Sequence, residues 1–260
     1  MSLFAVPFHL DEPLAGFSVS ALESAGAVSR TIRMPLPEGR PWQRLAALYE
    51  EVATAVAGAS DRIVVASGDC TTALGTLAGL ARRGLDPGIV WFDAHGDFNT
   101  DETTPSGYLG GMPLAIAVGR GDQTVPRALD VGPIDERRVL LVDARDLDPA
   151  EREALDASRV RRLPVSSIDP AAQQGAEAGA LPPGAIYLHL DLDVLDPLEL
   201  PGLRFPSAGG VRQAELARAV AAVIATGRVA AIGLACTWWP DRVDAPRASA
   251  IVQQLLEMAP

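Results

Sequence analysis

Two short runs of metal-ligating residue types stand directly after apolar segments of the chain. Their members are Asp93, His95 and Asp97 in the first run and Asp191 and Asp193 in the second. Because side chains alternate sides along an extended chain, the members of each run point to one side. We therefore expect four carboxylates and one imidazole to meet at the carboxyl end of one sheet.

Ionised aspartates packed closely together repel one another and are costly to remove from water, so an apolar setting requires either protonation or a bound cation. A single Asp-x-Asp sequence is usually a helix cap or a loop carboxylate, but two on separate buried strands favour a metal site. Oxygen ligands with one nitrogen indicate Mn²⁺ or a similarly hard ion, with zinc or cobalt as alternatives. If two aspartates bridge, two ions would lie ~3.5–4 Å apart.

The elements that must position these residues follow an α/β pattern, in which short apolar runs alternate with longer segments of helical period. Most of the apolar runs are continuous, as is typical of strands covered on both faces. The predicted strands are Leu3–Val6, Ile63–Ala66, Ile89–Phe92, Val139–Val142, Ile186–Leu190 and Val229–Leu234. We predict a single three-layer domain over residues 1–260, with a mainly parallel sheet flanked by helices.

Two segments have clear amphipathic helical period, 42–57 and 213–226. Two Gly- and Pro-rich stretches, 103–111 and 198–210, are too long and irregular to be simple connectors, so we interpret them as functional loops. The Ala- and Gln-rich stretch 171–180 is the longest low-complexity tract.

The overall composition narrows the classes of partner. A formal net charge of −11 argues against nucleic-acid binding, which depends on clustered Lys and Arg. No apolar stretch approaches the ~18–20 residues of a membrane span, and no secretory signal is visible at the start. Two cysteines provide no disulfide framework. We expect a cytoplasmic protein that binds a small-molecule substrate.

The motifs resemble those of the arginase (ureohydrolase) superfamily over nearly the whole chain. The two specific ones are Asp93-Ala-His95-Gly-Asp97 and Asp191-Leu-Asp193-Val-Leu-Asp196-Pro197; the supporting ones are Ser67-Gly-Asp69-Cys70 and Asp143-Ala-Arg145-Asp146-Leu-Asp148-Pro149. The resemblance implies an arginase-like fold and a metal-dependent amidinohydrolase of linear, non-peptide C–N bonds. It also implies two manganese ions per subunit and a homo-oligomer, either a trimer or a hexamer.

The resemblance also implies individual roles. Asp93 and Asp191 bridge the two ions, Asp97 completes one ligand set, and His95 and Asp193 complete the other. The catalytic residues are the two bridging aspartates and Asp97, which would orient the attacking water and shuttle its proton. For the substrate, Asn99 and Ser106 match positions that hold an α-carboxylate, and Asp148 matches the carboxylate that receives an α-amino group.

Cys70 occupies the place of the histidine that completes the first ligand set in the family. Thiolate ligation would bring the ligand charge to −5 against +4 from two divalent ions, which favours a loosely held first ion or a single ion. Some relatives that act on N-hydroxylated arginine look similar in having cysteine here. Alternatively, Cys70 is a neutral, small apolar residue of the core.

Further departures concern the substrate. Gly110 stands where arginase has a histidine proposed as a proton shuttle, and Cys236 stands where a glutamate grips the guanidinium group. Tyr108, Trp238 or Trp239 would then shape a different pocket.

The leading hypothesis is hydrolysis of a C–N bond in a guanidino or amidino compound related to arginine. Two alternatives remain: the same metal chemistry on another amide-like substrate, and a catalytically weak member that binds metal. We interpret His189, two residues before the second motif, and His9, in a loop near the predicted site, as structural residues rather than ligands.

Overall fold

The computed structural model describes residues 1–15, 28–168 and 181–258. Within these ranges, eight parallel strands form one sheet in the order β4-β1-β5-β10-β9-β6-β7-β8. Their bounds are β1 Ser2–Val6, β4 Val28–Thr31, β5 Ile63–Ser67, β6 Gly88–Asp93, β7 Val139–Asp143, β8 Arg161–Leu163, β9 Ile186–Asp191 and β10 Val229–Ala235. A small antiparallel pair, β2 (Phe8–His9) and β3 (Glu12–Pro13), follows β1.

Helices cover both faces of the sheet. The described helices are α1 Pro41–Gly58, α2 Ala73–Arg82, α3 Pro113–Ala117, α4 Thr124–Ala128, α5 Pro149–Asp156, α6 Gln213–Ile224 and α7 Ala245–Glu257. The side chains of α1 to α5 pack in one apolar cluster, and those of α6 and α7 pack in a second cluster. The expectation of a three-layer α/β domain with a mainly parallel sheet is confirmed.

Alternating strand residues divide between the two clusters, because successive side chains point to opposite faces. In β6, Ile89 and Trp91 belong to the α1–α5 side, whereas Val90 and Phe92 belong to the α6–α7 side. By the same alternation Asp93 continues the α1–α5 side at the end of the strand. The strand pattern therefore decides which face of the sheet carries the acid cluster.

All six predicted strands are present, and helix α1 extends one residue beyond each end of its predicted range. Helix α6 ends at Ile224 rather than at residue 226. The sequence pattern missed β4 and β8, which lie at the two edges of the sheet; the side chains of β4 are largely exposed and those of β8 are partly exposed. Edge strands lack the continuous apolar run that identifies a central strand. The Ala- and Gln-rich tract 171–180 lies outside the described residues.

Among the helices in the described ranges, none has the length and apolar character needed to cross a bilayer.

Close packing between α1 and α2 predicts a specific sensitivity to substitution. A Cβ atom at Gly79 of α2 would lie 2.5 Å from Val56 Cβ and 2.8 Å from the Ala53 carbonyl oxygen. We expect Gly79→Ala to lower the free energy of unfolding by about 1–3 kcal/mol through overpacking, as measured by urea denaturation. Gly58→Ala, at the end of α1 with no atom within 4 Å of the added Cβ, is the matched control and should not be destabilising. Equal stability of the two variants would contradict this packing.

Candidate metal and substrate site

The acid cluster lies where β6 and β9 reach the carboxyl edge of the sheet. Asp93 is the last residue of β6, and Asp191 is the last residue of β9. The chain turns at once after each strand: the Asp191 carboxylate accepts a hydrogen bond from Asp193 N at 2.9 Å, and Asp93 accepts one from His95 N at 2.7 Å. The strand ends and these tight turns bring the predicted ligands together.

A first group of potential ligand atoms comes from Cys70, Asp93 and Asp97, all within 4.8 Å of one another. All three residues are buried. Asp97 has a φ of 49°, in the left-handed region that few residues other than glycine adopt. Its Oδ2 atom is buried without a hydrogen-bond partner. A buried, unpartnered carboxylate oxygen is costly in an apolar setting, and a bound cation would remove that cost.

A second group comes from Asp93, His95 and Asp193, again within 4.8 Å. His95 Nδ1 lies 3.0 Å from Asp193 Oδ2 and 3.4 Å from Asp93 Oδ1. Asp93 belongs to both groups, as the predicted bridging role requires. The second predicted bridge, Asp191, lies beside the first group: Cys70 Sγ donates to its Oδ2 atom at 2.9 Å, and the Thr237 hydroxyl donates to its Oδ1 atom.

The pKa values of these carboxyl groups reflect their burial and their mutual repulsion. Burial, followed by the charges of the neighbouring aspartates, raises the pKa of Asp97 and Asp191 well above the ordinary value and that of Asp193 to about 6. Burial acts on Asp93 in the same direction, but hydrogen bonds and the charge of His95 outweigh it and lower its pKa. Without a bound cation, protons must therefore neutralise much of the cluster.

His95 takes part in that neutralisation. Burial alone would lower the pKa of its imidazole, but the hydrogen bonds that the imidazole donates to Asp193 and Asp93, and the charges of these aspartates, raise it to about 12. A positive charge is thus stabilised between the two aspartates. The donor set of carboxylate oxygens, one imidazole and one thiol fits divalent cations of the manganese type, with zinc and cobalt as chemically reasonable alternatives.

An aromatic pair supports the cluster from below, in the layer beneath Asp93. Trp91 Nε1 donates to Asp93 Oδ2 at 3.0 Å, and the Trp91 ring stacks on His189 with centroids 3.6 Å apart. Tyr187 contacts His189 Nδ1 at 3.0 Å, while His189 Nε2 has no partner and burial lowers the pKa of this histidine to about 3. Neither group of potential ligands contains His189. Its interpretation as a structural residue agrees with this placement.

Arg145 fixes the turn that carries Asp193, a role that the sequence reasoning did not assign. Its guanidinium pairs with Asp143 and donates to the carbonyl oxygens of Asp193 at 3.1 Å, Val194 at 3.2 Å and Ser207 at 2.9 Å. Asp143 itself has a φ of 85°. Such a conformation costs about 1–3 kcal/mol, and these contacts hold it in place.

A cavity of about 430 Å³ opens over the acid cluster. Its wall contains Cys70, His95, Asp97, Asp191 and Asp193, together with Asn99, Thr104, Ser106, Tyr108, Gly110, Gly111, Asp146, Asp148, Glu151, Phe205 and Thr237. Both predicted functional loops contribute to this wall. Asn99 Nδ2 donates to Asp148 Oδ2 at 3.0 Å, which joins two of the predicted substrate-binding residues.

The prediction that Cys236 faces the substrate is wrong. Its side chain belongs to the apolar cluster on the α6–α7 side of the sheet, and the cavity wall contains Thr237 instead. The reason is geometric, because neighbouring residues at the end of an extended strand point to opposite faces. Trp238 belongs to the same apolar cluster as Cys236 and does not line the cavity either.

Glu151 of α5 also lines the cavity, and the sequence analysis did not single it out. Its two carboxylate oxygens accept hydrogen bonds from Phe98 N at 2.9 Å and Asp148 N at 3.3 Å. The carboxyl group thus connects the loop after β6 to the start of α5. The sequence Asp148-Pro-Ala-Glu151 has the spacing of a helix capping box, which is the pattern from which this contact was predictable.

The chain matches the model of the arginase family over residues 17–237. It is 30% identical over 251 residues to the arginase of Bacillus caldovelox, a match that covers 83% of each chain. It is 33% identical over 223 residues to the N(omega)-hydroxy-L-arginine amidinohydrolase of Streptomyces lavendulae, covering 86% of this chain and 76% of that relative. A third match, 37% identical, is to the arginase of Bacillus subtilis (strain 168); it covers 58% of this chain and about half (53%) of that relative's length.

Among solved structures, the arginase of Bacillus subtilis subsp. subtilis str. 168 superposes with a TM-score of 0.81 at 26% identity, covering 100% of this chain and 97% of that one. The fold, the two aspartate motifs and these matches agree. The chain belongs to the arginase family, and the relatives named above are hydrolases of non-peptide C–N bonds.

Burial of Glu151 predicts a specific pH dependence of stability. Burial raises the pKa of Glu151 from the ordinary 4.5 to about 7. Between these values the folded protein binds more protons than the unfolded chain, so this residue makes the free energy of unfolding fall as the pH rises. Glu151→Gln should remove that part of the decline between about pH 4.5 and 7, as measured by urea denaturation across the range. The control is Glu153→Gln, an exposed position of the same helix, and an unchanged slope in Glu151→Gln would disprove the assignment.

Proposed function

We propose that this protein is a binuclear manganese-dependent hydrolase that cleaves a C–N bond of a guanidino or amidino compound related to arginine. The observation that carries the proposal is the pair of buried ligand groups, which share Asp93 and lie beneath a cavity of about 430 Å³. The expected ligands are Asp93, His95, Asp97, Asp191 and Asp193, with Cys70 as a sixth. When bound, two such ions act as Lewis acids and make water nucleophilic at neutral pH.

The residues of the cavity wall indicate which substrate charge is favoured and which groups would bind the substrate. Within the described residues, the wall contains six acidic side chains, neutral polar groups, His95 and Phe205, but no Lys or Arg. A cationic guanidinium or amidinium is therefore favoured over an anion. Asp148, Asn99 and Ser106 all line the wall and are suited to an α-amino and α-carboxylate group, while Asp97 would orient the attacking water and transfer one of its protons to the leaving nitrogen.

Two alternatives follow from specific features. Neither Cys236, which the family resemblance matches to the glutamate that grips a guanidinium, nor Thr237, which lines the wall, is a carboxylate, so the same chemistry on another amide-like group is the first alternative. The second alternative is a catalytically weak family member with one tightly held ion, and the reason for it is the cysteine at position 70. Similarity to the N(omega)-hydroxy-L-arginine amidinohydrolase makes an N-hydroxylated guanidine a substrate to test beside arginine itself. A cytoplasmic location and a trimeric or hexameric assembly remain predictions from cysteine content and family resemblance.

The activity is tested with manganese-loaded protein on arginine, N-hydroxyarginine, agmatine and guanidino acids, with urea or hydroxyurea as the product measured. Asp97→Asn should lower kcat by at least about 100-fold, the lower range of general acid–base contributions. Asp101→Asn, an exposed position four residues further along the same loop, is the matched control and should retain activity. If the wild-type protein releases neither product from any compound, the proposed activity is wrong.

The number and affinity of the ions bound by each variant show which ion a given residue holds. Both are measured by calorimetry and elemental analysis on protein from which a chelator has first removed the metal. Asp93 belongs to both ligand groups, so Asp93→Asn should lower the affinity for both ions by at least about tenfold. Cys70 belongs to the first group, so Cys70→Ala should lower the affinity for one ion and leave the affinity for the other unchanged. Two ions bound to Cys70→Ala with wild-type affinity would exclude the thiol as a ligand and favour its role as a core residue.

A further inference from the structure

A tyrosine of the cavity wall, Tyr108, is hydrogen-bonded to a histidine, His9, that does not itself line the cavity. The Tyr108 hydroxyl lies 3.2 Å from His9 Nε2, and the two rings stack with centroids 5.9 Å apart. His9 is buried, and its Nδ1 atom lies 3.0 Å from the carbonyl oxygen of Gly68. The pair therefore connects the cavity to a fixed backbone acceptor.

The direction of these hydrogen bonds follows from the chemistry of the groups. A carbonyl oxygen can only accept, so His9 Nδ1 must carry a proton and donate it to Gly68. In the neutral imidazole, Nε2 then has a free lone pair and accepts the proton of the Tyr108 hydroxyl. The Tyr108 oxygen keeps its own lone pairs available for a proton from the cavity.

The space for this arrangement depends on Gly110. A Cβ atom at that position would lie 2.3 Å from two ring atoms of Tyr108. On another side, the Tyr108 ring contacts Phe205, with centroids 4.7 Å apart. The absence of a side chain at position 110 thus permits the tyrosine ring to lie where it reaches His9.

Burial, and after it the acidic groups that face Tyr108, keep this residue in the hydroxyl form. Burial raises the pKa of Tyr108, and Asp69, Cys70, Asp97 and Asp191 raise it further. A tyrosine that remains protonated passes a proton on by receiving another, rather than by ionising.

Hydrolysis of a guanidinium gives Asp97 more protons to move than one carboxylate holds. Water loses both of its protons when its oxygen becomes the carbonyl oxygen of the product. The departing R–NH nitrogen gains two protons when it leaves as an ammonium ion. Asp97 can carry one proton at a time, and a second carrier would move the other proton without Asp97 having to transfer both in turn.

We propose that Tyr108 and His9 are this second proton carrier, an inference that rests on the proposed hydrolysis. The attacking water passes one proton to the Tyr108 oxygen while the Tyr108 proton moves to His9 Nε2. His9 becomes an imidazolium that the Gly68 carbonyl stabilises through Nδ1–H. The C–O bond forms, the C–N bond breaks with its electron pair on nitrogen, and Tyr108 donates a proton to that nitrogen as His9 returns one to Tyr108.

The kinetic test compares Tyr108→Phe and His9→Asn with a matched control, all loaded with Mn²⁺. We expect Tyr108→Phe and His9→Asn each to lower kcat by at least about tenfold and to change KM by less than about threefold, because a proton carrier acts in the transition state. We also expect kcat of Tyr108→Phe to rise with imidazole buffer concentration, which a purely structural role would not produce. The control is Tyr49→Phe, which removes a buried phenol that hydrogen-bonds to the Thr71 hydroxyl and lies outside the cavity wall, and which should keep kcat within about twofold.

A second measurement does not depend on activity. In ¹⁵N NMR of the whole protein, His9 should carry its proton on Nδ1, and Tyr108→Phe should shift the Nε2 resonance. The chain has three histidines, so His9→Asn identifies the signal. A proton on Nε2, or an active wild type whose kcat is unchanged in Tyr108→Phe, would overturn the relay alone. A wild type inert on every guanidino compound would instead overturn the proposed function, and the relay with it.

Discussion

The mutual repulsion of buried aspartates is the constraint on which the rest of the structure depends. Asp93, Asp97, Asp191 and Asp193 are all buried at the carboxyl edge of the sheet, and one oxygen of Asp97 has no partner. Such a cluster is unfavourable unless cations or protons neutralise it. The raised pKa values of Asp97, Asp191 and Asp193 and the cationic His95 are two expressions of the same excess of negative charge.

The scaffold holds this unfavourable cluster in place through contacts that lie outside it. Trp91 donates a hydrogen bond to Asp93 from below, and Arg145 donates hydrogen bonds to the carbonyl groups of the turn that carries Asp193. Glu151 accepts hydrogen bonds from two backbone amides beside the cavity. The apolar layers on both sides of the sheet make the strands rigid enough to support strained turns at their ends. Stability in the body of the fold thus permits local strain and charge at the site.

The same arrangement shows how the acid cluster is kept where the chain departs from the residues that the family resemblance predicts. Cys70 keeps a potential donor atom in the first ligand group, and it is close enough to donate to Asp191 when no cation is present. Gly110 removes a side chain, but the space is filled by the ring of Tyr108, which brings a hydroxyl into the cavity wall. Local substitutions have redistributed the polar groups of the cavity while the ligand groups of the acid cluster remain.

The six central strands, the layer architecture and the residues of the acid cluster could be predicted from the sequence, because continuous apolar runs and alternating polar residues are local patterns. The sequence by itself did not determine the edge strands, the face on which Cys236 lies, or the contacts of Trp91, Arg145 and Glu151. Those depend on which segments the fold brings together from distant parts of the chain. The pairing of His9 with Tyr108, 99 residues apart, is a case that only the tertiary structure could decide.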